Sequence, residues 1–163
     1  MHSSAYDAVQ PWLGLIESTA ERHDLDHQIL AGLVYVESSG NPWAIRVERG
    51  FWRRYNAGIL RWVAGTPTRW DNRWSSYPDL YAASYGLCQI MLQTAAENGF
   101  SYQYPTELLD PERNLELGAR ILARNITRTG SYTEGLLRYN GGGDEHYPSR
   151  VRRARRLIYG SEA

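Results

Sequence analysis

The chain has 163 residues, the size of one domain with enough interior for a core that needs no covalent staples. Its 18 basic residues, all arginine, balance 18 acidic ones, so no overall field directs it to nucleic acid or an anionic membrane. The single cysteine, Cys88, excludes an internal disulfide framework and a cysteine metal cluster, and no run approaches the ~18 apolar residues of a membrane-spanning helix.

The first predicted helix starts near Pro11 and presents Trp12, Leu15, Ile16 and Thr19 on one side. A second follows in "HDLDHQILAGLVYVESSGNP", where Asp24 or Asp26 caps the start and Gly40 with Pro42 stops it. Glu37 then falls in the last turn, on the side shared by Leu30, Leu33 and Val34. From Trp43 to Tyr85, short β-compatible pieces, "WAIRV" and "GILRWV", alternate with glycines and prolines and predict small strands and loops.

"SYGLCQIMLQTAAENGF" predicts a helix opened by Ser84 and closed at Gly99. "DPERNLELGARILARNITRTG" is fully punctuated: Asp110 caps, Pro111 and Glu112 fill the first turn, Gly130 stops, and Leu115, Ala119, Leu122 and Ile126 face inward. Two short helices, "YTEGLLRYN" and "PSRVRRARRLIY", complete a fold expected to be α+β and predominantly α-helical, with one small β region.

A carboxylate on an apolar stripe is disfavoured in its charged form, and the negative end of its own helix acts the same way. Both raise the pKa of Glu37 and suit it to donate a proton to a leaving oxygen, as a glycosidase acid does. The bland alternative is a glutamate that turns to solvent or pairs with an arginine such as Arg46. Five of the six tryptophans (Trp43, Trp52, Trp62, Trp70 and Trp74) lie between Trp43 and Tyr85. They read either as a glycan groove, indole stacking on sugar C–H faces, or as the core of a small β lobe.

The ordered set "VESSGNPWA", "YGLCQIMLQTA", "LDPERNLELGARIL" and "LRYNGG" resembles the lytic transglycosylases of the soluble type, with their goose-type lysozyme-like fold, from about Leu25 to Tyr159. The resemblance implies a domain spanning 1–163 that cleaves the β-1,4 bond between N-acetylmuramic acid and N-acetylglucosamine in peptidoglycan. Glu37 would act first as acid and then as base, giving a 1,6-anhydro product. It further implies that Tyr139 and Asn140 hold the substrate's N-acetyl group, that Gln89 lines the subsite floor, and that Ser38 orders the glutamate's loop. Gly86 would let backbone approach the sugar.

The chain also departs from that pattern. Cys88 replaces the methionine usual before the motif glutamine, which leaves a smaller and softly reactive subsite wall, and Arg138 precedes Tyr139 in place of a small residue. An aromatic and arginine-rich insertion at about 46–83 separates Glu37 from Gly86. It carries Glu48, a possible second carboxylate that would turn the reaction into hydrolysis by a muramidase, and Asp71, a more distant candidate. A reading of another class is a non-catalytic glycan-binding or virion structural protein.

His23 and His27 stand four apart, a spacing that can chelate zinc, but the aspartates between them read as caps; no metal site and no cofactor are expected. The C-terminal Arg150, Arg152, Arg153, Arg155 and Arg156 form the basic face of an amphipathic helix with Val151, Ala154, Leu157 and Ile158 on its apolar side. That face is a possible contact with an anionic wall or membrane surface. A monomer is expected, acting on the bacterial cell wall; without a visible secretory signal it reads as a phage lysin, a virion-carried enzyme or an otherwise exported one.

Overall fold

The computed structural model describes residues 3–51, 53–54, 80, 82–100 and 104–160. The chain enters through α1 (Ser4–Val9), a 3-10 turn (Gln10–Trp12) and α2 (Leu13–Arg22). The first helix therefore lies earlier than expected. Pro11 has no N–H to give and falls in the tighter turn between α1 and α2.

Helix α3 (His27–Ser38) is the centre of the molecule. Asp26 caps it by accepting from the N–H groups of Gln28 and Ile29, while Asp24 turns the chain with φ +53°. Every residue from Ile29 to Val34 is buried, so this helix is enclosed on all sides rather than along one stripe. Trp12 Nε1 donates to the Gly40 carbonyl at 2.8 Å and ties the end of α3 to the N-terminal segment.

Strands β1 (Ile45–Val47), β2 (Ala83–Tyr85) and β3 (Ile90–Met91) form an antiparallel sheet in that order, with Arg46 opposite Ser84 and Tyr85 opposite Ile90. This corrects the helix predicted from Ser84. Ser84 is a buried strand residue, and only α4 (Leu92–Glu97) is helical in that stretch. Gly86 and Gln89 adopt φ +72° and +48°, left-handed values that no α-helix contains, and the tight turn between them closes a hairpin. The strand expected in "GILRWV", Trp52, Trp62, Trp70, Trp74 and Asp71 lie outside the described residues.

After a 3-10 segment (Pro105–Leu109), α5 (Pro111–Thr129) begins at Asp110, which accepts from the Arg113 N–H at 2.9 Å, and ends at Gly130, as expected. Helices α6 (Tyr132–Tyr139) and α7 (Tyr147–Tyr159) follow. The buried side of α7 is Tyr147, Val151, Ala154 and Ile158; Leu157, expected on it, is 46% exposed. Helix α7 lies on α3 so closely that a Cβ on Gly32 would stand 2.6 Å from the Val151 carbonyl oxygen. Among the described residues the architecture is predominantly helical with one small sheet, and no helix there is long and apolar enough to cross a membrane.

Candidate active site

Glu37 stands where the enclosed part of α3 ends. Ser39, in the left-handed conformation, stops the helix directly behind it. Its carboxyl oxygen Oε1 accepts a 2.5 Å hydrogen bond from the phenol of Tyr147, the first residue of α7. Burial pushes the pKa of Glu37 up. Working against burial are the Tyr147 hydrogen bond and the charges of Arg46 and Arg150, while the charge of Glu48 adds to the rise. The net direction is upward.

The hairpin turn Gly86–Gln89 forms one wall, and three elements hold it. Ser38 Oγ, from α3, donates to the Leu87 carbonyl at 2.9 Å. Tyr139 Oη, from the end of α6, donates to the Cys88 carbonyl at 2.9 Å. Asn114, fully buried on α5, accepts from the Cys88 N–H at 2.7 Å and donates to the carbonyls of Tyr85 and Leu108 at 2.9 and 2.8 Å. Carbonyls only accept, so the orientation of the Asn114 amide is unambiguous.

Gln89 is fixed by the same logic: Nε2 donates to the carbonyls of Ala44 and Gly86 at 3.2 and 3.0 Å, which leaves Oε1 as the group it can offer a substrate. Gly86 has a packing reason to be glycine. A Cβ there would lie 2.5 Å from Asn114 Nδ2 and 2.8 Å from the Leu108 carbonyl, so internal packing demands it.

Cys88 corrects a second expectation. It is fully enclosed, burial with the nearby Glu37 charge pushes its thiol far up, and it packs where a Cβ on Gly118 would be 2.7 Å from Sγ. A neutral, inaccessible thiol is not softly reactive. Tyr139 and Tyr147 are likewise pushed up by burial and by Glu37, so both phenols stay protonated hydrogen-bond donors.

Of the other expected residues, Asn140 is half-buried at the C-terminal end of α6. Glu48, directly after β1, is engaged. Its Oε1 accepts from Arg46 Nε at 2.7 Å and from Ser84 Oγ at 3.2 Å. His23 Nε2 meets Glu116 at 2.6 Å and joins α2 to α5. Tyr147 and Asn114 were not foreseen from sequence; the signal for Tyr147 was its place four residues before Val151 on the inward face of α7.

Residues 14–157 match the family described as the transglycosylase SLT domain. A protein described as a transglycosylase, from Enterobacteria phage PRD1, is 27% identical over 158 residues, which cover 92% of this chain and 45% of that relative. The chain thus spans less than half the length of the curated relative it matches. No solved structure matches it. Glu37, the turn, Asn114, Tyr139 and Tyr147 all fall inside the matched span, and the chain belongs to the transglycosylase SLT domain family, with its predominantly helical, lysozyme-like α+β fold.

Proposed function

We propose that this chain is a catalytic domain, with an insertion at about 46–83, that cleaves the β-1,4 bond between N-acetylmuramic acid and N-acetylglucosamine in peptidoglycan by lytic transglycosylation. The observation that carries this reading is Glu37, a carboxyl at the end of a buried helix whose hydrogen-bond donor is a neutral phenol. Such a group holds its proton to higher pH than an ordinary carboxylate and releases it to a basic leaving oxygen.

In this mechanism Glu37 gives its proton to the glycosidic oxygen as the C1–O4 bond breaks. The 6-hydroxyl of the muramoyl unit then bonds to C1, its proton returns to Glu37, and no water is consumed. Tyr147 holds the carboxyl in both states. Tyr139 has its proton on the Cys88 carbonyl and offers the substrate lone pairs, matching the N–H of the N-acetyl group; the Asn140 amide supplies the donor for that group's carbonyl. Gln89 Oε1 accepts from a sugar hydroxyl or amide, and Ser38 keeps the floor under Glu37.

Glu48 is engaged by Arg46 and Ser84, which favours a single-carboxylate reaction over hydrolysis. The phage relative supports action on a bacterial host's wall during infection or lysis. Mass spectrometry of muropeptides released from purified sacculi tests the reading: products lighter by one water support it, and reducing ends alone would sink it. Glu37→Gln is expected to abolish release while retaining sacculus binding; full release by the variant would remove Glu37 from the chemistry, and a wild type that binds sacculi but releases nothing would be a non-catalytic glycan-binding protein.

A further inference from the structure

The charges of two arginines, Arg46 and Arg150, reach Glu37, and each is held by a carboxylate of its own. Arg46 Nε meets Glu48 at 2.7 Å, and Glu48 is anchored in turn by Ser84 of the neighbouring strand. Arg150 meets Asp144 at 2.8 Å, with its guanidinium 5.6 Å from the ring centre of the same Tyr147 that binds Glu37. The arginine side chains are 60% and 55% exposed, so their surroundings leave them room to turn.

We propose that Glu48 and Asp144 are positioning residues: by holding Arg46 and Arg150 they keep both guanidiniums off Glu37, whose carboxyl retains a neutral partner, Tyr147. This rests on Glu37 being the acid of the proposed reaction. An arginine bonded directly to that carboxyl would favour its ionised form and remove the proton that the leaving oxygen needs. Tyr147 of α7 bonds Glu37 directly, and the other titratable and charged groups that interact with it are Arg150 from α7, Arg46 and Glu48 from β1 and its end, Cys88 from the turn and Tyr139 from α6. The two guanidiniums are the cations among them. Glu48 acts twice, by its own negative charge on Glu37 and by occupying Arg46; Asp144 acts through Arg150 alone.

The test follows the Glu37 carboxyl carbon by NMR against pH, beside the pH profile of muropeptide release, in wild type, Glu48→Gln, Arg46→Gln, the double variant and Asp144→Asn. Glu48→Gln is expected to move the Glu37 midpoint and the alkaline limb to lower pH. Release on that limb falls roughly threefold or more while the acid side stays within about twofold. Adding Arg46→Gln moves both back toward wild type. Asp144→Asn shifts them in the same direction by less. An unmoved midpoint overturns the proposal. So does a loss in Glu48→Gln at every pH that Arg46→Gln fails to restore, the behaviour of a second catalytic carboxylate. If wild type releases no product the proposed reaction fails, while the NMR midpoints still decide whether the carboxylates shield Glu37.

Discussion

Glu37 binds its proton more tightly in the folded protein than in the unfolded chain, chiefly because burial disfavours the charged form. The stability it contributes is therefore whole below the ordinary carboxylate range and is lost as pH rises through its folded-state pKa. Glu37→Gln keeps an acceptor for Tyr147 and removes the buried charge. Thermal unfolding across pH is expected to find this variant more stable than wild type at alkaline pH, by on the order of 1 kcal/mol, with the difference vanishing in acid. Equal stability at all pH would show that the folded protein solvates the carboxylate fully. Glu37, Ser38, Gln89 and Tyr139 were legible in the sequence because they sit in short motifs. Tyr147 was not, since its partner lies 110 residues away and no local pattern marks a phenol as a donor.

The hairpin β2–β3 and helix α5 place the turn against Glu37, and Asn114 joins them. The sequence pattern of Leu87, Ile90, Met91 and Thr94 fits a helix period. The strand pairing of β2 with β1 and two left-handed residues override it, an outcome that depends on residues about forty positions away. Helix α5 was read correctly because its caps are local. Removing the Asn114 amide takes its acceptor from the Cys88 N–H and one donor each from the Tyr85 and Leu108 carbonyls, all in a buried site. Asn114→Ala is expected to cost about 3 kcal/mol by denaturant titration and to reduce muropeptide release in the fraction that remains folded. Asn114→Asp places a carboxylate against two carbonyls and is expected to destabilise at least as much at neutral pH, with partial recovery in acid where it regains a donor proton. Wild-type-like stability of Asn114→Asp would mean that the amide does not hold the turn.

At the scale of the whole molecule, the site joins the end of α3 to the start of α7, and the same two helices pack backbone against backbone at Gly32. Gly32 faces Val151 and Arg155, where a Cβ would meet the Val151 carbonyl oxygen at 2.6 Å and the Arg155 N at 3.2 Å. These are backbone atoms and cannot rotate aside, so any side chain at residue 32 must push the helices apart. Glu37 lies five residues along α3 from Gly32, and Tyr147 four residues along α7 from Val151, so separation at the crossing is felt at the Tyr147–Glu37 hydrogen bond. Gly32→Ala is expected to cost about 1–3 kcal/mol in stability. Well below its melting transition, it should also move the alkaline limb of the pH profile of muropeptide release. That movement separates the idea from simple destabilisation, which lowers the amount of folded protein and leaves the profile's shape unchanged. A Gly32→Ala protein with reduced Tm but a wild-type profile would mean that the helix pair supports the fold without setting the geometry of the acid.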